Sequence, residues 1–373
     1  MTFRLSITPN IRKSPYFEAT LAEGVRAFSV YNHMYIPGHY GDPEGEYRRL
    51  IEGVAQWDVA AQRQVELSGP DAGALAQYLT TRDLTRCAVG QGRYVALCDH
   101  DGTLINDPVL LKLAEARYWL SIADSDIALW AAAIARERGL DVRVFEPDVS
   151  PMAIQGPKAL DLARDLFGAW VEDLKYFWFK ETELEGIPLV LARSGWSKQG
   201  GFELYLQDGA RGSELWQIVK NAGRAYDIGP GAPNDLERLE SGLVSYGADG
   251  RAQSNPVDPF EIGLGHLVEL ESGQDFIGRD ALVEIKRAGV RRRRVGLFIE
   301  GPPVTGNQHP LDILRGDEAV GTLSEMAYSH RLQRNIALGI VSNEVHDGAD
   351  DLRVIVGTAP RALAITTLPF IAP

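Results

Sequence analysis

The stretch from residue 192 to residue 205 carries the side chains best suited to chemistry. A strand-forming run precedes it, and a glycine-rich turn leads from that run into a second one. Because side chains alternate along a strand, Glu203 and Tyr205 share one face, while Phe202 and Leu204 share the other. A carboxylate and a phenol therefore point in one direction beside the turn. The alternative interpretation is an ordinary exposed hairpin with a polar face.

The acidic composition argues against a nucleic-acid partner. The chain of 373 residues has 38 basic and 51 acidic side chains, for a net charge of −13, and no compensating basic surface is evident apart from one run of arginines. The four arginines at 291–294 are expected to begin a strand or form a linker. No apolar run is long enough to span a bilayer, and no secretory signal begins the sequence. A cytoplasmic protein that does not contact membranes is therefore expected.

Cysteine and histidine spacing indicates neither a disulfide framework nor a metal site. Cys87 and Cys98 do not form a Cys-x-x-Cys pair, and the seven histidines are scattered without metal-ligand spacing. The sequence also lacks a P-loop, a Gly-x-Ser-x-Gly nucleophile motif and a His-Glu-x-x-His motif. Hydrolase, P-loop and zinc-protease functions are therefore disfavoured.

A short internal repeat predicts two related α+β units. Residues 65–72 resemble residues 152–159, and each copy is a strand that ends in Gly-Pro and leads into a helix. Each copy then continues into a pair of strands, which favours a sheet with helices on one side. The predicted helices span 72–79 and 159–167, and the predicted strand pairs are 94–99 with 108–113 and 187–191 with 202–206.

Periodicity predicts the remaining elements and a domain boundary. Apolar spacing of three and four residues predicts helices, and β-rich runs separated by turn residues predict a small C-terminal barrel. The expected domains are 1–285, which contains related units at 65–140 and 152–230, and 286–373, the barrel. The other predicted helices are 17–24, 44–56, 125–138, 233–246 and 280–288, and the other strands are 28–31, 118–123, 295–299, 318–323, 336–341, 352–356 and 361–366.

Several segments, in order along the chain, resemble motifs of the glycine-cleavage T-protein family, the tetrahydrofolate-dependent aminomethyltransferases. The resemblance covers nearly the whole chain. It implies an α+β, three-lobed fold in which two related units and a C-terminal barrel surround a central folate channel. The segments are Val65 to Ala72, Asp101 to Pro108, Ala153 to Ala159, Arg193 to Tyr205, Glu237 to Gly247, Val320-Gly-Thr and Asn335 to Gly339.

Two departures from the aminomethyltransferase motifs point to another branch of that family. Asn106-Asp107 stands where the aminomethyltransferases carry paired aspartates, and Gly-Trp-Ser-Lys-Gln-Gly-Gly-Phe-Glu at 195–203 replaces their Gly-Tyr-Thr-Gly-Glu-Asp-Gly-Phe-Glu. These segments resemble those of the branch that demethylates dimethylsulfoniopropionate (DMSP). The same branch is similar at residues 30–34, 57–61 and 176–180.

The resemblance implies methyl transfer from the DMSP sulfonium to N5 of tetrahydrofolate, giving methylmercaptopropionate and 5-methyltetrahydrofolate. It implies that Glu203 binds the amino-pyrimidine edge of the pterin, since a carboxylate suits two adjacent N–H donors. By the same resemblance Tyr205 lies near N5, Asp107 lies with the folate, and these two are the catalytic candidates. The other folate-binding residues that it implies are Tyr94, Ser121 and Arg193.

The donor site is expected to be aromatic and poor in acids. A sulfonium is already an activated leaving group, so the enzyme has mainly to hold N5, methyl carbon and sulfur in line. A carboxylate fixed against the sulfonium would favour the ground state, and the change to Gln199-Gly200 removes acidic groups. The cation could be held by aromatic faces from Phe17, Tyr31, Trp178, Trp196 or Tyr205. For the substrate carboxylate, Lys198, His33 and a backbone N–H remain open alternatives.

Two other functions remain open from the sequence. One is an aminomethyltransferase, or a folate methyltransferase that acts on an amine such as dimethylglycine. The other is a folate-binding protein without catalytic activity. The oligomeric state is open as well, with a homodimer as one alternative.

Overall fold

The computed structural model describes residues 6–345 and 351–372, which form two compact units. The first comprises residues 1–76, 85–94 and 108–234, and the second comprises 77–84, 95–107 and 235–373. The predicted domain boundary between residues 285 and 286 stays a prediction. The helices are α1 (Phe17–Ala22), α2 (Pro43–Glu52), α3 (Ala72–Leu79), α4 (Ile127–Glu137), α5 (Ala159–Phe167), α6 (Gly212–Ala222), α7 (Asp235–Ser241) and α8 (Arg279–Ala288).

The strands fall partly between these helices and partly in consecutive runs, the longest of which follows α8. They are β1 (Ala27–Tyr31), β2 (Met34–His39), β3 (Val54–Asp58), β4 (Gln64–Ser68), β5 (Gly92–Tyr94), β6 (Leu97–Cys98), β7 (Leu104–Asn106), β8 (Val109–Ala114), β9 (Arg117–Ser121), β10 (Arg143–Phe145), β11 (Ser150–Gln155), β12 (Phe179–Leu184), β13 (Ile187–Ala192), β14 (Gly201–Leu206), β15 (Ile228–Gly231), β16 (Arg292–Ile299), β17 (Leu311–Arg315), β18 (Glu318–Ser329), β19 (Arg334–Ser342), β20 (Leu352–Val356) and β21 (Ala359–Thr366).

Two sheets organise the first unit. One has the order β10-β4-β9-β8-β5, and the other has the order β12-β13-β14-β11-β3-β15. Trp119 of the five-stranded sheet packs with Val190 and Tyr205 of the six-stranded sheet in one buried cluster. On the opposite face of the six-stranded sheet, Phe202 and Leu204 pack with side chains of α5 and α6. The predicted alternation along residues 202–205 is confirmed, and each face of β14 is buried against a different layer.

The elements predicted for the second copy of the repeat are confirmed, and those predicted for the first copy are partly wrong. Helices α3 and α5 have the predicted bounds, and β13 pairs with β14 as expected. In the first copy, however, β5 ends at Tyr94 and pairs with β8. Residues 95–107 form the separate β6–β7 hairpin of the second unit, because Cys98 packs there with Phe276 and Leu282.

Two predicted helices are longer than the real ones. Helix α2 ends at Glu52, because the residues after Gly53 form β3, which pairs with β11 and β15. Helix α7 ends at Ser241, because Gly242 adopts a left-handed conformation with φ of 62°. Gly242 N–H donates to the Leu239 carbonyl and Leu243 N–H to the Arg238 carbonyl, at 3.0 Å each, the pattern of a Schellman motif.

The predicted C-terminal barrel is confirmed as a closed six-stranded sheet, with the order β16-β19-β18-β17-β20-β21. The sequence prediction missed β17, a short strand whose Ile313 reaches the barrel core. The arginine run begins β16 as expected, but its side chains are paired. Arg292 binds Glu261 at 2.8 Å, and Arg294 lies 3.3 Å from Asp249.

A buried carboxylate near the end of β3 carries a proton at mildly acidic pH. Asp58 accepts hydrogen bonds from the Ser14 hydroxyl at 2.5 Å and from Ala60 N–H at 3.1 Å. Burial raises the pKa of Asp58 from 3.8 to about 6, and the two hydrogen bonds only partly oppose that rise. The ionised form of this side chain therefore destabilises the fold.

We expect Asp58→Asn to stabilise the protein at pH 7.5 but not near pH 4. Between the unfolded and the folded pKa values, the folded protein keeps a proton on Asp58 that the unfolded chain has released. The stability that this protonated side chain contributes is therefore lost as pH rises toward about 6. A shift of about two pKa units corresponds to about 3 kcal/mol. Urea denaturation at both pH values measures the difference, and an equal effect of the substitution at both would contradict the prediction.

Candidate functional site

Strand β14 places Glu203 and Tyr205 between the two sheets of the first unit. Glu203 lies opposite Ala153 of β11 on one side and Ala192 of β13 on the other. Cross-strand neighbours are separated by about 5 Å, so two alanines leave the carboxylate laterally uncrowded. Both side chains are buried, and Glu203 is 5% exposed. The alternative of an exposed hairpin is therefore wrong, since β14 lies inside a sheet rather than at a protein surface.

The Glu203 carboxylate has one satisfied and one available oxygen. The Ser194 hydroxyl donates to its Oε2 at 2.5 Å, and the Tyr205 hydroxyl donates to the same oxygen at 3.2 Å. Burial raises the pKa of Glu203, while these two hydrogen bonds oppose the rise. Within the described part of the chain, Oε1 accepts no hydrogen bond from protein. A ligand with N–H donors would meet an acceptor there.

Tyr205 remains a neutral phenol at physiological pH. Its pKa is raised well above 10, first by burial and then by the negative charge of Glu203. Its ring lies 6.2 Å from the Trp119 ring, centroid to centroid. The Ser121 hydroxyl is also a hydrogen-bond partner of the phenol, and the Gln64 amide donates to that hydroxyl at 2.9 Å. Tyr205 is therefore held as a hydrogen-bond donor and is unsuited to act as a base.

The structure thus brings together three of the predicted site residues, Glu203, Tyr205 and Ser121. Sequence reasoning missed Ser194, which joins the turn to the Glu203 carboxylate. Its position two residues after the end of β13 offers no distinctive signal in the sequence. Serine hydroxyls are common in turns, and only the pairing of β13 with β14 brings this one to Glu203.

The remaining predicted folate residues lie in different surroundings. Tyr94 ends β5 and is half-buried. The Arg193 guanidinium donates to the Leu174 carbonyl at 2.8 Å and faces the Phe202 ring at 6.0 Å, so it lies toward the helix-covered face of β14. Asp107 ends a segment of the second unit. Their contributions to a folate site stay predictions.

The predicted donor residues are also dispersed among several elements. Phe17 is buried, stacks on Phe28 at 5.0 Å and has the Lys13 ammonium 4.7 Å from its ring centre. His33 lies in the two-residue turn between β1 and β2 and contacts Asp126 at 3.2 Å. Tyr31 is partly buried at the end of β1, and Trp178 is half-buried. In the glycine-rich turn, Trp196 is half-buried and Lys198 is exposed.

Neither a metal-binding cluster nor a membrane-spanning helix occurs in the described part of the chain. No cluster of three or more histidine, cysteine, aspartate or glutamate side chains in residues 6–345 and 351–372 has the geometry to hold a metal ion. Over the same ranges, no helix is long and apolar enough to cross a membrane.

The fold and the sequence define the class of this protein. The model of the GCVT N-terminal domain matches residues 16–272, and the model of the glycine cleavage T-protein C-terminal barrel domain matches residues 292–371. The chain belongs to the glycine cleavage T-protein family. This finding confirms the resemblance and the α+β architecture with a C-terminal barrel.

Two relatives of known name and one solved structure are similar to this chain over most of its length. The chain is 41% identical to the dimethylsulfoniopropionate demethylase DmdA of Ruegeria pomeroyi, over 90% of this chain and 91% of that protein. It is 32% identical to an aminomethyltransferase of Symbiobacterium thermophilum, over 97% of both chains. The crystal structure of the glycine cleavage system aminomethyltransferase T from Bartonella henselae superposes with a TM-score of 0.84 at 22% identity, covering 97% of this chain and 98% of that one. That superposition shows the shared fold.

Proposed function

We propose that this protein transfers a methyl group from the sulfonium of DMSP to N5 of tetrahydrofolate. The observation that carries the proposal is the 41% identity to a DMSP demethylase along 90% of the chain. The altered turn at 195–200 supports the same donor, because it lacks the acidic pair of the aminomethyltransferase motif. The products would be methylmercaptopropionate and 5-methyltetrahydrofolate, which links sulfur metabolism to one-carbon metabolism.

The buried carboxylate of Glu203 fits the pterin of tetrahydrofolate. A carboxylate only accepts hydrogen bonds when ionised, and the amino-pyrimidine edge presents adjacent N–H donors. Glu203 Oε1 is open to such a donor, while Ser194 and Tyr205 fix the carboxylate through Oε2. We assign Glu203 to that edge and Tyr205, with Ser121 behind it, to the neighbourhood of N5. Tyr94, Arg193 and Asp107 remain proposed folate or catalytic residues.

Tetrahydrofolate, when bound, supplies the N5 lone pair that accepts the methyl group. The protein's own task is positioning, because the thioether leaves as a neutral molecule and needs no proton, and N5 releases its own proton to water once it carries the methyl group. Trp196, with Tyr31 and Trp178, would offer aromatic faces to the cation, an interaction of about 0.5–2 kcal/mol per ring. Of the candidates for the substrate carboxylate, Lys198 shares the turn with Trp196. Phe17 is less suited, since Phe28 and Lys13 already occupy its surroundings.

Aminomethyl transfer is the second candidate, because an aminomethyltransferase is 32% identical over nearly the whole chain. The substrate decides between the two. A methyl donor yields 5-methyltetrahydrofolate, whereas an aminomethyl donor yields the 5,10-methylene form. A folate-binding protein without activity would bind tetrahydrofolate and turn over neither donor.

The decisive measurement combines purified protein, tetrahydrofolate and DMSP, with thioether and folate products followed by mass spectrometry. We expect stoichiometric methylmercaptopropionate and 5-methyltetrahydrofolate. Dimethylglycine and an aminomethyl-lipoyl donor, assayed in parallel, should give no turnover. Absence of thioether at millimolar DMSP, or a methylene product formed without an oxidant, would contradict the proposal.

The location, the partners and the assembly of the protein are proposed from the sequence. A cytoplasmic location, the absence of a nucleic-acid partner and a homodimer as one alternative for the assembly remain predictions. Size-exclusion chromatography with light scattering tests the last of these directly.

A further inference from the structure

We propose that Gln155 is a positioning residue that holds the turn of residues 195–200 and thereby sets the donor site. The inference rests on the proposed function, because that turn carries Trp196. Gln155 is the last residue of β11 and is 1% exposed. Sequence reasoning did not single it out.

The nitrogen and the oxygen of the Gln155 side-chain amide both form hydrogen bonds with residues 194–197. Its Nε2 donates to the Ser194 carbonyl at 3.1 Å, and its Oε1 accepts from the Ser197 hydroxyl at 2.8 Å. A carbonyl oxygen only accepts hydrogen bonds and the amide nitrogen only donates them, and Nε2 also donates to the Ile154 carbonyl at 3.2 Å, so these contacts fix the orientation of the amide. Since the group is buried, leaving either contact unmade would be costly.

Two glycines enclose the same amide group. A Cβ atom on Gly195 would lie 2.1 Å from Gln155 Nε2, and a Cβ atom on Gly201 would lie 2.5 Å from it. Both glycines have φ of 149°, a conformation that other residues rarely adopt. Glycine at 195 therefore serves the close approach of the Gln155 amide, and glycine at 201 makes room for both that amide and the Ile154 carbonyl.

The Gln155 side chain thus holds the beginning of the segment that presents Trp196 at the Ser194 carbonyl and its middle at the Ser197 hydroxyl. Gly156 N–H adds a bond to the Gly200 carbonyl at 2.9 Å, next to Gln155 in the chain. The folate side of the site has separate support, because the pairing of Ala192 with Glu203 holds Ser194 near the carboxylate. Loss of the Gln155 amide should therefore affect the donor more than the folate.

The test compares Gln155→Met with Gln56→Met. Gln56 is a matched control, since it is also 1% exposed, lies on the adjacent strand β3 and donates to the Trp216 carbonyl at 3.0 Å on the helix-covered face. For Gln155→Met we expect the KM for DMSP to rise about tenfold and kcat to fall, because misplacement of a positioned group by about 1 Å can cost a hundredfold in rate. The Kd for tetrahydrofolate should change less than about threefold. Gln56→Met should change none of these constants by more than about twofold.

A second readout does not depend on turnover. Lys198 is exposed within the turn, so limited trypsin digestion followed by mass spectrometry can monitor cleavage after it. Gln155→Met should be cut there about fivefold faster than wild type, while Gln56→Met should not, because local opening exposes a cleavage site. Ser197→Ala, which removes one of the two contacts, should be intermediate.

The outcomes separate the two proposals. If wild-type protein releases no thioether from DMSP, the proposed function fails. Faster cleavage of Gln155→Met would still show that Gln155 holds the turn of residues 195–200 in place. Equal cleavage rates, or equal loss of donor and folate affinity in Gln155→Met, would overturn the positioning role. A parallel loss in Gln56→Met would show that the effect is general destabilisation.

Discussion

Glu203→Gln is expected to weaken tetrahydrofolate binding about 100-fold and to lower kcat/KM at least as much. The substitution keeps the shape of the side chain but removes the charge that would strengthen hydrogen bonds from the pterin. A hydrogen bond to a charged group contributes about 1.5–3 kcal/mol, and 1.4 kcal/mol corresponds to a factor of ten in affinity. Titration calorimetry with tetrahydrofolate measures the loss.

The pH dependence gives the same prediction a second test. Burial raises the pKa of Glu203, and the protonated carboxyl cannot accept from two donors. Wild-type affinity should therefore fall as pH is lowered, beginning at a higher pH than for an ordinary glutamate, whereas the affinity of Glu203→Gln should be flat. An unchanged affinity in the variant at neutral pH would contradict the assignment.

Stability should change in the opposite direction. An acid with a raised folded pKa contributes stability at low pH and costs stability once it ionises, so Glu203→Gln should have a higher Tm than wild type at pH 7. Glu66→Gln is the matched control. Glu66 is equally 5% exposed and lies between the sheets, but it is paired with Arg117 at 3.0 Å and accepts from Trp119 at 2.7 Å. That variant should lose stability and keep folate affinity.

Arg238→Met is expected to cost about 3–5 kcal/mol in the free energy of unfolding, the range found when one partner of a buried ion pair is removed. Arg238 is fully buried on α7 and lies 3.0 Å from both Asp249 and Glu325. Burial alone would raise the pKa of Asp249, but Arg294 and Arg238 outweigh it and hold that pKa below its usual value. Without Arg238, Asp249 keeps Arg294 at 3.3 Å, while Glu325 loses the guanidinium that lies 3.0 Å away.

The loss should be smaller at pH 5 than at pH 8. Burial, followed by repulsion from Asp235, raises the pKa of Glu325 to about 7, so Glu325 is already largely protonated at pH 5. Urea denaturation at both pH values measures the two losses. Arg315→Met is the control, since Arg315 and Asp351 form an exposed pair at 3.1 Å that should contribute no more than about 1 kcal/mol. A loss in Arg238→Met no larger than in this control would contradict the prediction.

Short-range patterns in the sequence predicted part of the local structure, and its motifs predicted the family. Alternation along a strand is a short-range property, so residues 202–205 alone indicated that Glu203 and Tyr205 share a face. The repeated Gly-Pro signal fixed the bounds of α3 and α5 for the same reason. Motif order along the chain identified the family before any contact was known.

Which side chains come into contact could be seen only in the tertiary structure. Residues 95–107 do not form the predicted strand pair, because apolar side chains of this segment are buried in the second unit. The local sequence pattern does not indicate in which unit a segment is buried. No sequence motif distinguishes Ser194 or Gln155 from other serines and glutamines. The pairing of β11, β13 and β14 brings Ser194 to Glu203 and Gln155 to the turn. Hydrogen bonds between residues that are distant in sequence depend on strand register, and register is a property of the whole sheet.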